Sequence, residues 1–409
     1  MRTEEMKKRN YIVLMLRRTI AGFFNSLPTQ YVNVYILEMG FSEQELGLLR
    51  SIARLIASLP SSLLCFWADV SDRRKSYLIG LGIEILSALI FFLGVGRLAM
   101  VIALLLSLTS FFGLRYVENI LIADSISSRK RAFGFGILDS LMIFASLFSP
   151  IVAAYIVNLF GGISVEGIRP LFLIQFAGLL FASIIAGVFV RDIRMFAHFS
   201  LRKTFYDSLT ILRLNPWLRR WIVLEVLGGY VFSLSMPYEM IYAIKVKGAD
   251  EFVLGYMGFA LNVGSIIALP IIGWLADRIG RVKTIVILRP LFYLSVCLFL
   301  LSSSPIHLIT AWFIRGIWFA SRAPFQTLAL ELVPYDYRGR WNGIKTLIAF
   351  TLGSPGSLIG GYLYMLISPE TPFIVALLVD LLLRLPLIYM TPETLDRKAY
   401  LEEFRRTSW

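Results

Sequence analysis

Residues 273–283 read Gly273-Trp-Leu-Ala-Asp277-Arg278-Ile-Gly280-Arg281-Val-Lys283, a short polar run between two long apolar ones. The flanking runs, 252–276 and 284–303, are each long enough to cross a bilayer core of roughly 30 Å as a helix. Between such helices the polar run has the chemistry of a tight connection. Gly273 allows close helix approach, and Asp277 at a helix end accepts backbone N–H groups or pairs with arginine. The Arg/Lys cluster suits the inner face of a membrane. A first copy stands 208 residues earlier, where Cys65-Phe-Trp-Ala-Asp69-Val-Ser-Asp-Arg73-Arg-Lys75 keeps Asp69, Arg73 and Lys75.

The repeat extends outward from these loops. Asn10–Leu14 matches Arg220–Leu224, Pro28 matches Pro237, and Leu46-Gly47 matches Leu254-Gly255. Further along, Arg115 matches Arg322, Asp124 matches Glu331, and Arg131 and Gly136 match Arg338 and Gly343, all at offsets between 207 and 210. A 20-residue window finds twelve apolar segments: 11–38, 43–67, 76–96, 99–123, 132–157, 170–190, 220–244, 252–276, 284–303, 306–331, 341–366 and 371–391. The first is too long for a signal-peptide core and carries Arg17 and Arg18, so it reads as a span. The expected architecture is an all-α membrane protein of twelve transmembrane helices in two pseudo-symmetric six-helix bundles. Residues 1–190 form the first bundle, 191–219 a cytoplasmic linker, and 220–409 the second bundle with a tail. Within the linker, Ser200–Leu214 reads as a short amphipathic helix.

Composition agrees. Of 409 residues, 57% are hydrophobic and 16% charged, and the mean hydropathy is +0.72. Soluble domains carry about a quarter charged residues, so an ordinary soluble enzyme, a disordered chain and a disulfide-stapled domain are excluded. The two cysteines, Cys65 and Cys297, lie in apolar runs, and His198 and His307 are far apart, so no metal or cofactor is expected. The absence of a nucleophile–base set or phosphate loop argues against an enzyme. The net charge of +13 sits in the connections: one alternating set holds 26 basic residues and the other 4. By the positive-inside rule both termini and the middle loop face the cytoplasm, and nucleic acid is not an expected partner.

The loop at 273–283 resembles the signature of the major facilitator superfamily, matched at Gly273, Asp277, Arg278, Gly280, Arg281 and Lys283. The first copy departs at Cys65, Val70 and Asp72. Leu114-Arg115-Tyr-Val-Glu118-Asn119 resembles that family's arginine-bearing fourth segment, and Ser149-Pro150-Ile-Val-Ala153-Ala154 loosely resembles the signature of its drug/proton antiporter branch. The resemblance covers essentially the whole chain. It implies a cytoplasmic gate at Asp69, Arg73, Lys75, Gly273, Asp277, Arg278, Gly280 and Arg281, and a central cavity lined by segments 1, 4, 7 and 10.

A charge at the bilayer centre costs about 2.5 kcal/mol or more, so the ionisable residues inside the segments require partners or water. Segments 1 and 7 carry matched prolines at Leu27-Pro28-Thr29-Gln30-Tyr31 and Met236-Pro237-Tyr238-Glu239-Met240, and a proline frees backbone groups that are tolerated beside a cavity. Around the central cavity that the resemblance implies, Gln30, Tyr31, Arg54, Arg115, Tyr238, Glu239, Arg322 and Gln326 are the expected solute contacts. Glu118, Asp139 and Glu239 are the expected proton carriers, with Arg115 as partner of Glu118. Glu84 is read as peripheral, Arg289 as interfacial, Asp380 and Arg384 as a mutual pair, and Gly356-x-x-x-Gly360 as a close helix crossing. Glu38, Glu43 or Glu45 could balance Arg50 and Arg54. The expected protein is a monomeric secondary transporter of the cytoplasmic membrane. It moves a small organic solute, anionic if the arginines face it, by alternating access with proton coupling. The alternative is a broad-specificity drug/proton antiporter. A membrane sensor that binds without flux is a third class.

Overall fold

The computed structural model describes residues 2–70, 73–94, 96–126, 131–191, 216–333 and 338–395 of the chain. Among these the chain is helical, without a strand. A helix satisfies its own backbone hydrogen bonds, which is the condition for lying in lipid. Nine helical spans among the described residues are long and apolar enough to cross a membrane. The stretches read as segments 1, 10 and 11 are each divided into two consecutive helices instead. The linker helix expected at Ser200–Leu214 lies outside the described residues.

The chain forms two compact units. The first comprises Met1–Ser42, Ile52–Phe199 and Ala249–Phe259, and the second Glu43–Ser51, Ser200–Gly248 and Ala260–Trp409. Segments 2 and 8, which cross these limits, are the helices Glu43–Val70 and Glu251–Ile279. The other helices of the first unit are α1 (Arg2–Ser26), α2 (Val32–Glu38), α3 (Arg73–Leu93), α4 (Arg97–Ser125), α5 (Arg131–Ser146), α6 (Ser149–Leu159) and α7 (Val165–Phe189). In the second unit α8 (Pro216–Ser235) is followed by a single tight turn, Met236–Tyr238, and by α9 (Glu239–Lys245). Then come α10 (Arg281–Leu300), α11 (Pro305–Phe319), α12 (Arg322–Glu331), α13 (Arg338–Gly353), α14 (Pro355–Leu366) and α15 (Thr371–Val379). One π turn, Asp380–Arg384, joins α15 to α16 (Leu385–Tyr389).

The breaks have local causes. Pro28 follows the end of α1 and Pro237 sits in the turn after α8, where each lacks the amide that would continue the helix. Pro150 and Pro355 stand in the first turns of α6 and α14, where that amide has no intrahelical partner anyway. Side chains on Gly356 and Gly360 would collide with α8, at Ser233 Cβ (2.8 Å) and at the Leu234 carbonyl, so the expected close crossing is present.

Each unit has its own core, and the two cores use repeat-related positions. Leu14, Tyr77, Leu121 and Ile122 are buried together in the first, and Leu224, Ile285, Leu328 and Ala329 in the second. Large apolar side chains such as Leu63, Phe144, Val188, Ile267, Ile287 and Leu382 remain exposed. Burial of apolar surface normally drives the opposite arrangement, so an apolar solvent is the natural environment of those faces.

Candidate functional site

Most of the ionisable side chains inside the apolar helices join hydrogen-bonded clusters. In the first unit Arg17, on α1, is the hub. It donates to Glu84 on α3 and to Glu118 on α4, the latter at 2.9 Å. The Tyr77 hydroxyl also donates to Glu118, at 3.1 Å. Asn25 Nδ2 donates to the other Glu84 oxygen at 3.0 Å, and Gln175 Nε2 donates to Asn25 at 2.8 Å. The next residue on α1, Arg18, reaches Asn119 at 2.8 Å and Asp139 on α5 at 2.7 Å. The spacing follows from α1 itself: neighbours in sequence are about 100° apart around a helix, so Arg17 and Arg18 serve different partners.

This arrangement corrects two expectations. Glu84 is not a peripheral bystander but a direct partner of Arg17. Glu118 is held by Arg17 rather than by Arg115. Arg115 is exposed and lies within electrostatic range of Arg18, Asp139 and Glu118. A guanidinium reaching back from segment 1 outcompetes the intrahelical i,i+3 partner because it can close two carboxylates with one planar fork.

The second unit carries three clusters. Glu239 at the start of α9 pairs with Arg315 on α11. Arg315 also donates to Ser295 at 3.3 Å and stacks over Trp312 at 4.6 Å. Glu225 on α8 accepts from Lys345 at 3.1 Å and from the Trp221 indole at 3.0 Å. Asp380, fully buried, accepts from Arg289, Arg384 and Tyr293 at 3.1–3.2 Å. Arg289 is thus deeply buried, not interfacial, because Asp380 compensates the cost of desolvating it. Asp380 and Arg384 do pair, with Arg289 as a third member. Glu43, one of three acids weighed as neighbours of Arg50 and Arg54, is bonded at 2.8 Å to Lys245.

The residues expected to touch solute divide by exposure. Arg115, Arg322 and Gln326 are exposed, and Gln30 and Arg54 are half-buried. The Arg322 guanidinium lies over Phe319 at 3.8 Å and Phe232 at 5.3 Å. Tyr31 and Tyr238 are fully buried, with hydroxyls already donated to backbone carbonyls, Tyr31 to Glu251 (3.0 Å) and Tyr238 to Ser357 (2.7 Å). Each tyrosine thus ties its helix to a backbone carbonyl of its own unit.

At the loops, Arg73 pairs with Asp124, and the repeat-related Arg281 pairs with Glu331 at 3.2 Å. Lys75 and Lys283 are exposed. Arg278 stacks over Trp274 at 4.5 Å. Asp277 is 74% exposed and pairs with Arg281 across the Gly280 turn at 3.3 Å. The Asp69 side chain lies outside the described residues. Gly273 does not mediate a close approach, since an added Cβ there would meet nothing. Gly280 is the glycine the loop requires: its φ is +106°, and a Cβ would strike the Glu393 carboxylate. Glu393, which the sequence reading passed over, accepts from the amides of Arg281 (2.8 Å) and Val282 (3.0 Å) and so caps α10. Thr394 beside it donates to Glu331. Glu84, Arg289 and Arg315 are visible in the sequence as charges inside apolar segments, but no local signal shows which partner each takes. No local signal pointed to Glu393, 113 residues beyond Gly280.

The family model of the Major Facilitator Superfamily matches residues 14–261 and 222–408. Multidrug resistance protein MdtG of Proteus mirabilis (strain HI4320) is 27% identical over 376 residues, covering 87% of this chain and 89% of that protein. Multi-drug resistance efflux pump PmrA of Streptococcus pneumoniae serotype 4 is 23% identical over 367 residues, covering 85% and 86%. Among solved structures, the nucleoside transporter NupG superposes with a TM-score of 0.68 at 13% identity, covering 97% of this chain and 99% of that one. The human organic anion transporter MFSD10 (TETRAN) gives 0.66 at 16%, covering 93% and 99%. At these identities the structural likeness speaks for the fold alone.

Proposed function

The chain belongs to the Major Facilitator Superfamily and is a transmembrane transporter, and from that premise we propose that it exports amphipathic organic compounds from the cell in exchange for protons. The excess of basic residues in one set of connections supports a cell-membrane carrier with both termini in the cytoplasm. The names of the curated relatives support the solute class. The observation that carries the coupling is the state of Asp139. Its side chain is 47% exposed while its partner, Arg18, is 6% exposed. A coupling carboxylate must be reachable by water and must hold a cation that protonation releases. The half-exposure of Asp139 and its pair with Arg18 support this role, whereas Asp380, fully buried between two guanidiniums, lacks the exposure. Protonation of Asp139 would free Arg18 and leave it held by Asn119. Glu118 and Glu239 stand as further proton carriers in this reading, each already bonded to a guanidinium.

Within the second unit the solute contacts would be Arg322 with Phe232 and Phe319, and Gln326; within the first they would be Gln30, Arg54 and Arg115. An exposed guanidinium lying on aromatic faces offers a flat amphipathic molecule both stacking and a polar anchor. A second reading, in which the solute is an organic anion, is favoured by the exposure of Arg115 and Arg322.

Reconstituted vesicles test both readings. The purified chain should accumulate the lipophilic cation ethidium against its gradient when a pH gradient is imposed. Asp139→Asn should abolish that accumulation and preserve downhill equilibration. Fluxes of ethidium and of an amphiphilic carboxylate that both ignore the pH gradient would sink the coupling. Transport of the carboxylate in place of ethidium would select the second reading.

A further inference from the structure

The buried cluster around Asp380 has more positive charge and more donors than it can satisfy internally. Arg289 and Arg384 are 3% and 5% exposed, and Asp380 is 0% exposed. Asp380 Oδ1 accepts from Arg289 and Arg384, and Oδ2 from Arg289 and Tyr293. The carboxylate is therefore fully used. The Nε–H groups of Arg289 and Arg384 are buried with no acceptor. The indole N–H of Trp318, on whose ring Arg289 lies at 5.6 Å, is also buried with none. The charges bearing on Arg289 are those of Arg384 and Asp380, beside the neutral Tyr293 hydroxyl. Two guanidiniums thus share one carboxylate.

A guanidinium cannot relieve this by losing its proton. Aromatic faces at Trp318 and at Phe325, 5.4 Å from Arg384, soften the charge but accept no N–H bond in the guanidinium plane. Asp380 lies nine residues before the end of α16, about 13 Å along a helix, too deep for a lipid headgroup to serve. The π turn Asp380–Arg384 locally widens the helix where these groups meet. One compact negative charge with several acceptor directions would satisfy these donors and balance the second guanidinium.

We propose that the Arg289–Arg384 pair beside Asp380 binds a halide-sized monovalent anion, chloride under ordinary conditions, as a built-in structural ligand. A divalent oxyanion would overcompensate the single excess charge. The site is independent of which solute the transporter carries.

Thermal unfolding of the purified full-length chain in detergent tests this. Sodium chloride is titrated against sodium gluconate at fixed ionic strength, with bromide and sulfate as further arms. The expected result is a saturable rise of several degrees in the midpoint with chloride, reproduced by bromide and absent with gluconate and sulfate. Arg384→Gln leaves one guanidinium on one carboxylate, so it should fold and lose the halide response. Should that variant fail to fold, chlorine-35 line broadening by the wild-type chain, reversed by excess bromide, reads the same site without a mutation. The proposal is overturned by equal midpoints in chloride and gluconate, by sulfate stabilising as much as chloride, by a full chloride response in Arg384→Gln, or by chlorine-35 broadening that bromide leaves untouched.

Discussion

The hub at Arg17 and the cluster at Asp380 are inverse solutions to one problem. In the first unit one guanidinium holds two carboxylates, Glu84 and Glu118. In the second, one carboxylate holds two guanidiniums. Both satisfy the rule that a charge in a low-dielectric interior needs an opposite one, but their surpluses differ in kind. A surplus carboxylate can take up a proton, whereas a surplus guanidinium cannot give one up. The first cluster is therefore chemically able to change charge, and it adjoins Arg18 with the half-exposed Asp139 and the exposed Arg115. The second is fixed in charge and sealed. These two hubs thus differ in the sign of their surplus charge, although the second unit keeps carboxylates of its own at Glu239 and Glu225.

The contrast can be broken by removing each hub. Arg17→Gln leaves two buried carboxylates facing each other and should cost about 3–5 kcal/mol, read as a large fall in melting midpoint and in folded yield. A wild-type midpoint would show that the trio is not a hub. Asp380→Asn should cost a comparable amount because two guanidiniums lose their shared acceptor. Arg384→Gln, by contrast, should cost no more than about 1 kcal/mol, since it removes the charge in excess. If Arg384→Gln unfolds the chain as readily as Asp380→Asn does, the surplus reading of that cluster fails.

Smaller effects sharpen the comparison at the loops, where the halves are most alike. Arg73–Asp124 and Arg281–Glu331 are repeat-related bridges, while Glu393 caps the helix start at Arg281. Glu393→Ala should cost about 0.5–2 kcal/mol and speed amide exchange at Arg281 and Val282. Unchanged exchange would remove Glu393 from the account. Asp277→Ala loses only an exposed i,i+4 pair, worth roughly 0–1 kcal/mol, so membrane insertion and melting should hold. A transport rate equal to wild type in that variant would deny Asp277 any part in the gate.

Much of this was legible in the chain. Hydropathy gives nine of the twelve expected spans, and the matched prolines Pro28 and Pro237 give the breaks in segments 1 and 7, because segment length and proline termination are local properties of a bilayer-solvated chain. The family likeness at 273–283 was legible for the same reason. Partner choice was not. Arg115 and Glu118 stand three residues apart, yet Glu118 is taken by Arg17, 101 residues away. Glu84 and Arg289 look dispensable in their own segments and become indispensable only beside Arg17 and Asp380.

The sequence by itself determined how many charges must be accommodated inside the apolar helices, and on which segments. Tertiary structure alone decided which acid each base holds, which residue caps the start of α10, and whether a charge is sealed like Asp380 or left half-exposed like Asp139. The physical reason is that burial cost is carried by the single side chain, whereas its compensation depends on the direction and distance of groups that only helix packing brings together.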